Sequence, residues 1–226
     1  MQSASAVTSL AVRFVLDWNY AARENLFLED RIFEIPTYIR SGRDPVQIIS
    51  SGPDSKSQVI RNNYLRLIHL AKKSIYIQTP YFIPDDAILE SLKIAAKSGI
   101  DVRIIDTPVN RLPSFWFIGR LIPYMGDDGG SGARCYTYDR GFLHSKCMCV
   151  DGLVTCMGTA NMDIRSFSLN FEVNATIYSA RTTIKLQEAF ENDIPYCTLI
   201  TRKKYKARSL YIRFKEQFCR LLSPLL

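Results

Sequence analysis

The residues best suited to chemistry lie between Phe142 and Glu172, which read FLHSKCMCVDGLVTCMGTANMDIRSFSLNFE. Two apolar runs are joined by Asp151-Gly152, a dipeptide that favours a two-residue hairpin turn. Such a turn predicts that Val150 pairs with Leu153, Cys147 with Cys156 and Lys146 with Met157. His144 then lies opposite Thr159, and Gly158, Thr159 and Asn161 return to the end that carries His144 and Lys146. An imidazole, an ammonium, a hydroxyl and an amide converge there beside a glycine that adds no bulk. Such a set can bind an anion, and the imidazole can act as nucleophile or as acid.

Period-2 geometry separates the roles. His144 and Lys146 are two apart on an extended chain and share a face. Asp151 has the opposite parity and lies roughly 23 Å from His144, at ~3.3 Å per residue. It is therefore assigned to the turn and to a local hydrogen bond or ion pair. On the next predicted strand Asn170, Glu172 and Asn174 share a face. A carboxylate that accepts from one imidazole nitrogen would fix the tautomer and stabilise the cation, and Glu172 is the candidate.

The elements that must position these residues are legible as an α/β pattern. Val7, Leu10, Ala11, Phe14, Val15 and Trp18 recur at helical spacing over residues 4–22, with no obvious partner. Residues 23–45 read as a connecting segment. A strand at 46–50 precedes a helix from about Lys56 to Lys72, capped by Asp54 or Ser55. A strand at 74–78 leads through TPYFIP to a helix over 87–97 that begins at Asp85-Asp86 and stops near Gly99. Strands follow at 100–106 and 133–138, separated by an aromatic helix-like run over 112–125. After the hairpin come a strand over 168–178 and a helix over 180–193. The sum is a mixed sheet with βαβ crossovers, an antiparallel hairpin and helices on its faces. Gly126–Gly132 is read as a connector, because a strand and not a helix follows it.

Composition narrows the function classes. The chain has 226 residues and is 47% hydrophobic, enough to bury a core and inconsistent with disorder. No apolar run approaches the ~18–20 residues of a membrane span. The net charge of +7 is carried entirely by residues 200–226, where eight Lys and Arg face Glu216 alone. Residues 1–199 are formally neutral, which argues against a nucleic-acid track near the site. Six cysteines without zinc-site spacing and only two histidines exclude a His-rich metal cluster. The cysteines read as reduced thiols. His69, on a helix with no motif around it, reads as a surface histidine. The C-terminal run with Leu210, Phe214, Phe218, Leu221 and Leu222 at helical spacing is a basic amphipathic helix. It either docks on anionic lipid head groups or packs on the domain with a solvated basic face.

The pattern His144-x-Lys146-x4-Asp151-x6-Gly158-Thr159-x-Asn161 resembles the HKD motif of the phospholipase D superfamily. Four stretches carry the resemblance further, to bacterial cardiolipin synthases: YIQTPYFIPD at 76–85, GFLHSK at 141–146, ANMDIRSFSLNFEVNATIY at 160–178 and RFKEQFCRLLSPLL at 213–226. The resemblance implies a phospholipase D-like mixed β-sheet flanked by helices on both faces. It also implies two HKD motifs meeting across a cleft, one histidine attacking phosphorus and the other protonating the leaving alcohol. On that basis His144 is a catalytic histidine, and Asp151 is a motif member with a structural role. Lys146, Thr159 and Asn161 bind the substrate phosphate, Thr159 standing where the family usually has serine. Glu172 orients His144. No metal or other cofactor is expected.

Only one HKD motif is present. Residues 1–45 resemble the end of a first half, 46–200 a second phospholipase D-like domain, and 201–226 the basic helix. The chain therefore reads as a C-terminal portion, with the first motif and amino-terminal membrane helices missing. The implied activity is a phosphatidyltransferase that joins two phosphatidylglycerol molecules to cardiolipin and glycerol through a phosphatidyl-histidine. The implied partners are anionic phospholipid (phosphatidylglycerol, cardiolipin) and a membrane surface, the chain lying peripherally on the cytoplasmic side of the cell membrane. A homodimer or a chain carrying a second HKD motif would supply the other histidine, and no nucleic acid is expected. The alternatives are a metal-independent HKD phosphodiesterase or nuclease acting as a homodimer, and an inactive half-site that needs a second HKD chain.

Overall fold

A computed structural model describes residues 3–28, 33, 44–107, 132–201, 203, 207 and 209–211. The aromatic run over 112–125, nearly all of the glycine-rich stretch, most of the 23–45 connector and most of the basic C-terminal helix lie outside the described residues.

The chain opens with α1 (Ser3–Ala22). The next elements are β1 (Val46–Ser51), α2 (Val59–Leu70), β2 (Ser74–Thr79), β3 (Phe82–Ile83), α3 (Asp86–Lys97), β4 (Asp101–Asp106) and β5 (Gly132–Tyr138). Then come β6 (Cys147–Val150), β7 (Val154–Gly158), β8 (Met162–Asp163), α4 (Ile164–Ser168), β9 (Glu172–Tyr178), α5 (Ala180–Asp193) and β10 (Cys197–Leu199). Eight strands form one sheet in the order β1-β9-β7-β6-β2-β4-β5-β10. The β2–β4 and β4–β5 pairs are parallel and the other five are antiparallel. β3 and β8 make a separate parallel pair.

Both faces of the sheet are covered. Ile104 and Ile105, adjacent on β4, point to opposite faces. Ile104 packs with Ile75 and Ile77 under the α2 and α3 residues Ile60, Leu67, Leu89 and Leu92. Ile105 joins Tyr136 and Phe190 of α5, whose ring stacks on Tyr76 at 5.0 Å. Each fully buried Ile or Leu contributes about 1.5–3 kcal/mol, so the α2–α3 layer carries most of the core. α1 packs beside β1 at the sheet edge, with Val15 fully buried.

Helix ends mostly follow local chemistry. The Asp85 carboxylate accepts from Ile88 N at 2.9 Å and opens α3, and Gly99 ends it with φ +88°. Ser179 accepts from Thr182 N at 3.3 Å and opens α5. α2 departs from expectation, starting at Val59 after Gln58 with no side-chain cap. Ser55 is engaged elsewhere, its Oγ accepting from Gly52 N at 3.1 Å to close the 52–55 turn.

Two further differences concern the hairpin and the strand after it. The ladder pairs Val150 with Val154, Cys147 with Met157 and Met148 with Cys156, one residue out from the predicted register. Asp151 (φ +54°) and Gly152 (φ +70°) do make a tight turn, and Leu153 N donates to Val150 O at 2.9 Å. However, Asp151 N donates to Ser74 O at 3.0 Å, so Asp151 stays alongside β2 and Leu153 becomes an extra, exposed residue. The predicted strand from Ser168 begins instead at Glu172, because Asp163 caps the short helix α4 by accepting from Ser166 N at 2.6 Å.

Candidate active site

The one-residue shift changes how the site is assembled. Lys146 now faces Gly158, whose N–H donates to Lys146 O at 3.2 Å. β6 begins only at Cys147, so His144 and Lys146 lie on the non-strand segment before it. There Lys146 Nζ donates to His144 O at 3.1 Å. The His144 side chain is exposed and its ring stacks on Phe142 at 5.2 Å, which in turn meets Tyr81 at 6.5 Å. An aromatic wall thus limits the imidazole on one side and leaves the other open.

Gly158 is required sterically. A methyl there would lie 2.6 Å from Asn174 Cα, and closer still to Val173 O and Asn174 Oδ1. This close approach lets the chain turn out of β7 and carry Thr159 and Asn161 past β9. Thr159 N donates to Val173 O at 3.0 Å, and Thr159 Oγ1 accepts from Val173 N at 2.9 Å. The hydroxyl proton goes to the Glu172 carboxylate, which also accepts from Asn170 Nδ2 at 3.2 Å. No hydrogen bond joins Glu172 to the His144 ring.

Asn161 is held on two sides. Its N–H donates to Ser166 Oγ at 3.2 Å and its side-chain amide lies beside the Asp163 carboxylate, while its Oδ1 is buried without a hydrogen-bond partner. Burial pushes the Asp163 carboxyl above its ordinary range, although bonds from Ser166 and Asn161 pull the other way. Burial lowers the Lys146 ammonium, against the raising effect of the Glu172 and Asp163 charges. The segment is braced from below by Thr79, whose Oγ1 accepts from Met162 N at 3.2 Å, and by the β3–β8 pairing.

Asp151 lies at the other end of β6. Its Oδ2 accepts from Lys72 N at 2.8 Å and its Oδ1 from Lys73 N at 2.7 Å and Ser74 N at 2.9 Å. His69, on α2, is exposed, and its Nε2 hydrogen-bonds Ser91 Oγ of α3 at 2.9 Å.

The structure therefore brings His144, Lys146, Thr159, Asn161 and Glu172 to one end of the hairpin and leaves Asp151 at the other. Sequence reasoning passed over Asp163 and Phe142. Asp163 was legible as a cap, three residues before Ser166. Phe142 carried no local signal. Among the described residues no three His, Cys, Asp or Glu side chains are grouped as metal ligands, and the five described cysteines are free thiols. No described helix is long and apolar enough to cross a membrane.

A family model described as the PLD-like domain of cardiolipin synthase matches residues 64–194, which include every residue of this site. The chain belongs to the cardiolipin synthase PLD-like domain family. It is 47% identical over 223 residues to a cardiolipin synthase of Listeria welshimeri, covering 98% of this chain and 45% of that protein. It is also 47% identical to one from Staphylococcus aureus, of which it covers 44%. This family member thus spans a little under half the length of those relatives. Among solved structures, Nuc from Salmonella typhimurium, a phospholipase D family member, matches 70% of this chain and 99% of its own at 20% identity and TM-score 0.60. A phosphatidylserine synthase from Haemophilus influenzae matches 80% of this chain and 45% of its own at 15% identity and TM-score 0.58. At such identities these two likenesses establish the PLD-like fold alone.

Proposed function

We propose that this chain forms one half of a cardiolipin synthase-type phosphatidyltransferase. The carrying observation is the convergence of His144, Lys146, Thr159, Asn161 and Glu172 at one end of the hairpin, in a chain of this family. One catalytic histidine attacks the phosphorus of phosphatidylglycerol and the second protonates the departing glycerol. The second then takes the proton from the hydroxyl of another phosphatidylglycerol, whose oxygen displaces the first histidine and completes cardiolipin. His144 is one of the two, and the other belongs to a second HKD motif, on another part of a longer protein or on a partner chain. His69, on α2, is taken up by Ser91 of α3 and is not assigned that role.

Lys146 and Asn161 hold the phosphate oxygens. A partly desolvated ammonium such as Lys146 gains more from an incoming phosphate than a fully hydrated one. Thr159 turns its hydroxyl from Glu172 to the phosphate, and the freed carboxylate accepts from the His144 ring. The reaction takes place at a membrane surface with anionic phospholipid as substrate, approached from the cytoplasmic side. By the same reading residues 46–200 are the domain that carries the motif, and residues 1–45 and 201–226 flank it.

The test is to incubate the chain with phosphatidylglycerol vesicles, alone and with a chain that carries a second HKD motif. Cardiolipin and glycerol should form in equal amounts. A phosphatidyl adduct trapped on His144 by a denaturing quench at mildly alkaline pH would assign it the nucleophilic role, and one on the second chain's histidine the acid role. No cardiolipin under either condition would overturn the proposal, and release of phosphatidic acid alone would indicate a hydrolase.

A further inference from the structure

Between the two proposed phosphate ligands Thr159 and Asn161 sits Ala160, fully buried and with no functional group of its own. Both of its backbone polar groups are taken up by two side chains that the proposed chemistry does not use. Ala160 N donates to Asn174 Oδ1 at 3.2 Å. Asn174 Nδ2 donates to the Tyr64 hydroxyl at 2.9 Å. The Tyr64 hydroxyl donates to Ala160 O at 3.4 Å and closes the ring. Each member of the ring donates once and accepts once within it, so the amide of Asn174 has a single orientation that satisfies all three. Asn174 is 1% exposed and Tyr64 2%, so water does not compete for these groups.

We infer that Tyr64 and Asn174 are positioning residues for the phosphate ligands, setting the peptide planes on either side of Ala160 and with them the directions of Thr159 and Asn161. A buried Asn on a strand needs partners for packing reasons alone. What distinguishes this one is that the ring gathers both backbone groups of one residue, and that this residue separates two proposed ligands. Asn63 offers the contrast. It also lies on α2 and reaches β9, donating to Thr176 Oγ1 at 3.0 Å, but it makes no bond to residues 158–161. Loss of the Asn63 bond should weaken the α2–β9 contact without redirecting the ligands.

The inference rests on the proposed phosphate site, and the experiment separates the two. The full chain is titrated with tungstate, a tetrahedral oxyanion, by calorimetry, and melting temperatures are measured in parallel. Tyr64→Phe keeps the ring's shape and removes only the hydroxyl, and Asn63→Ala is the comparison. The two variants should lose similar melting temperature. Only Tyr64→Phe should weaken tungstate binding, by about three- to tenfold, the equivalent of one net hydrogen bond. Equal affinity in the two variants would overturn the positioning role while leaving the phosphate site intact. No tungstate binding by the wild-type chain would instead remove the phosphate site, and this inference with it.

Discussion

The two ends of the β6–β7 hairpin are built by different means. At the Asp151 end one carboxylate collects three backbone N–H groups from the α2–β2 connection, at 2.7–2.9 Å. The link is local to the turn and ties it to β2. At the Gly158 end the chain leaves the sheet, and each polar group depends on another: the Thr159 hydroxyl on Glu172, the Asn161 N–H on Ser166, and the Ala160 backbone on Asn174 and Tyr64. One end is satisfied and closed, whereas the other keeps a buried Asn161 oxygen without a partner and an exposed imidazole. Both ends belong to a single motif, so membership of the motif says little about which residue meets substrate.

The sharpest way to break this comparison is His144→Ala. The side chain is exposed, so stability should hold while transfer falls by about a thousandfold or more, the scale for a covalent or acid-base residue. Retained turnover with unchanged folding would move the chemistry away from this end. Gly158→Ala should give the largest stability loss, about 3 kcal/mol in urea unfolding, because the methyl meets backbone that cannot move aside. A variant as stable as wild type would show that β7 and β9 can separate there. Asp151→Ala should cost about 2 kcal/mol through three lost charge-assisted bonds, with activity per folded molecule unchanged. A fall in activity beyond the fall in folded fraction would couple the two ends.

Asp163→Asn should have the smallest effect, visible mainly in its pH dependence. Burial raises the Asp163 carboxyl above its ordinary value of 3.8, so the folded chain binds that proton more tightly than the unfolded chain. The associated stability is fully present below 3.8 and is lost as pH rises through the higher folded value. Wild type should therefore gain on the variant as pH falls from about 7 to about 4. An unfolding free-energy difference that stays flat over that range would place Asp163 in an environment no drier than water.

Local chemistry was legible where it stood alone. The Asp85 cap, the stop at Gly99, the start of α5 after Ser179 and the positive-φ turn at Asp151-Gly152 all followed from residue type and neighbours. The strands of the βαβ crossover were legible because they are buried apolar runs with clear boundaries. The register of β6 against β7 was not, because buried side chains line both faces of each strand, Cys149 and Thr155 on one and Met148 and Cys156 on the other. A one-residue slip therefore exposes nothing and leaves no trace in the apolar pattern.

By itself the sequence made the α/β order and the candidate set of His144, Lys146, Thr159, Asn161 and Glu172 legible, since these rest on residue types and their places along predicted elements, while motif resemblance pointed to the family. Tertiary structure alone decided that Lys146 faces Gly158, that the Thr159 proton is directed to Glu172, and that Tyr64 reaches 96 positions along the chain to hold Ala160. Those contacts join segments whose separation in sequence carries no periodic signal. Packing of α2 against the sheet brings them together, and burial then obliges each polar group to find the partner it is given.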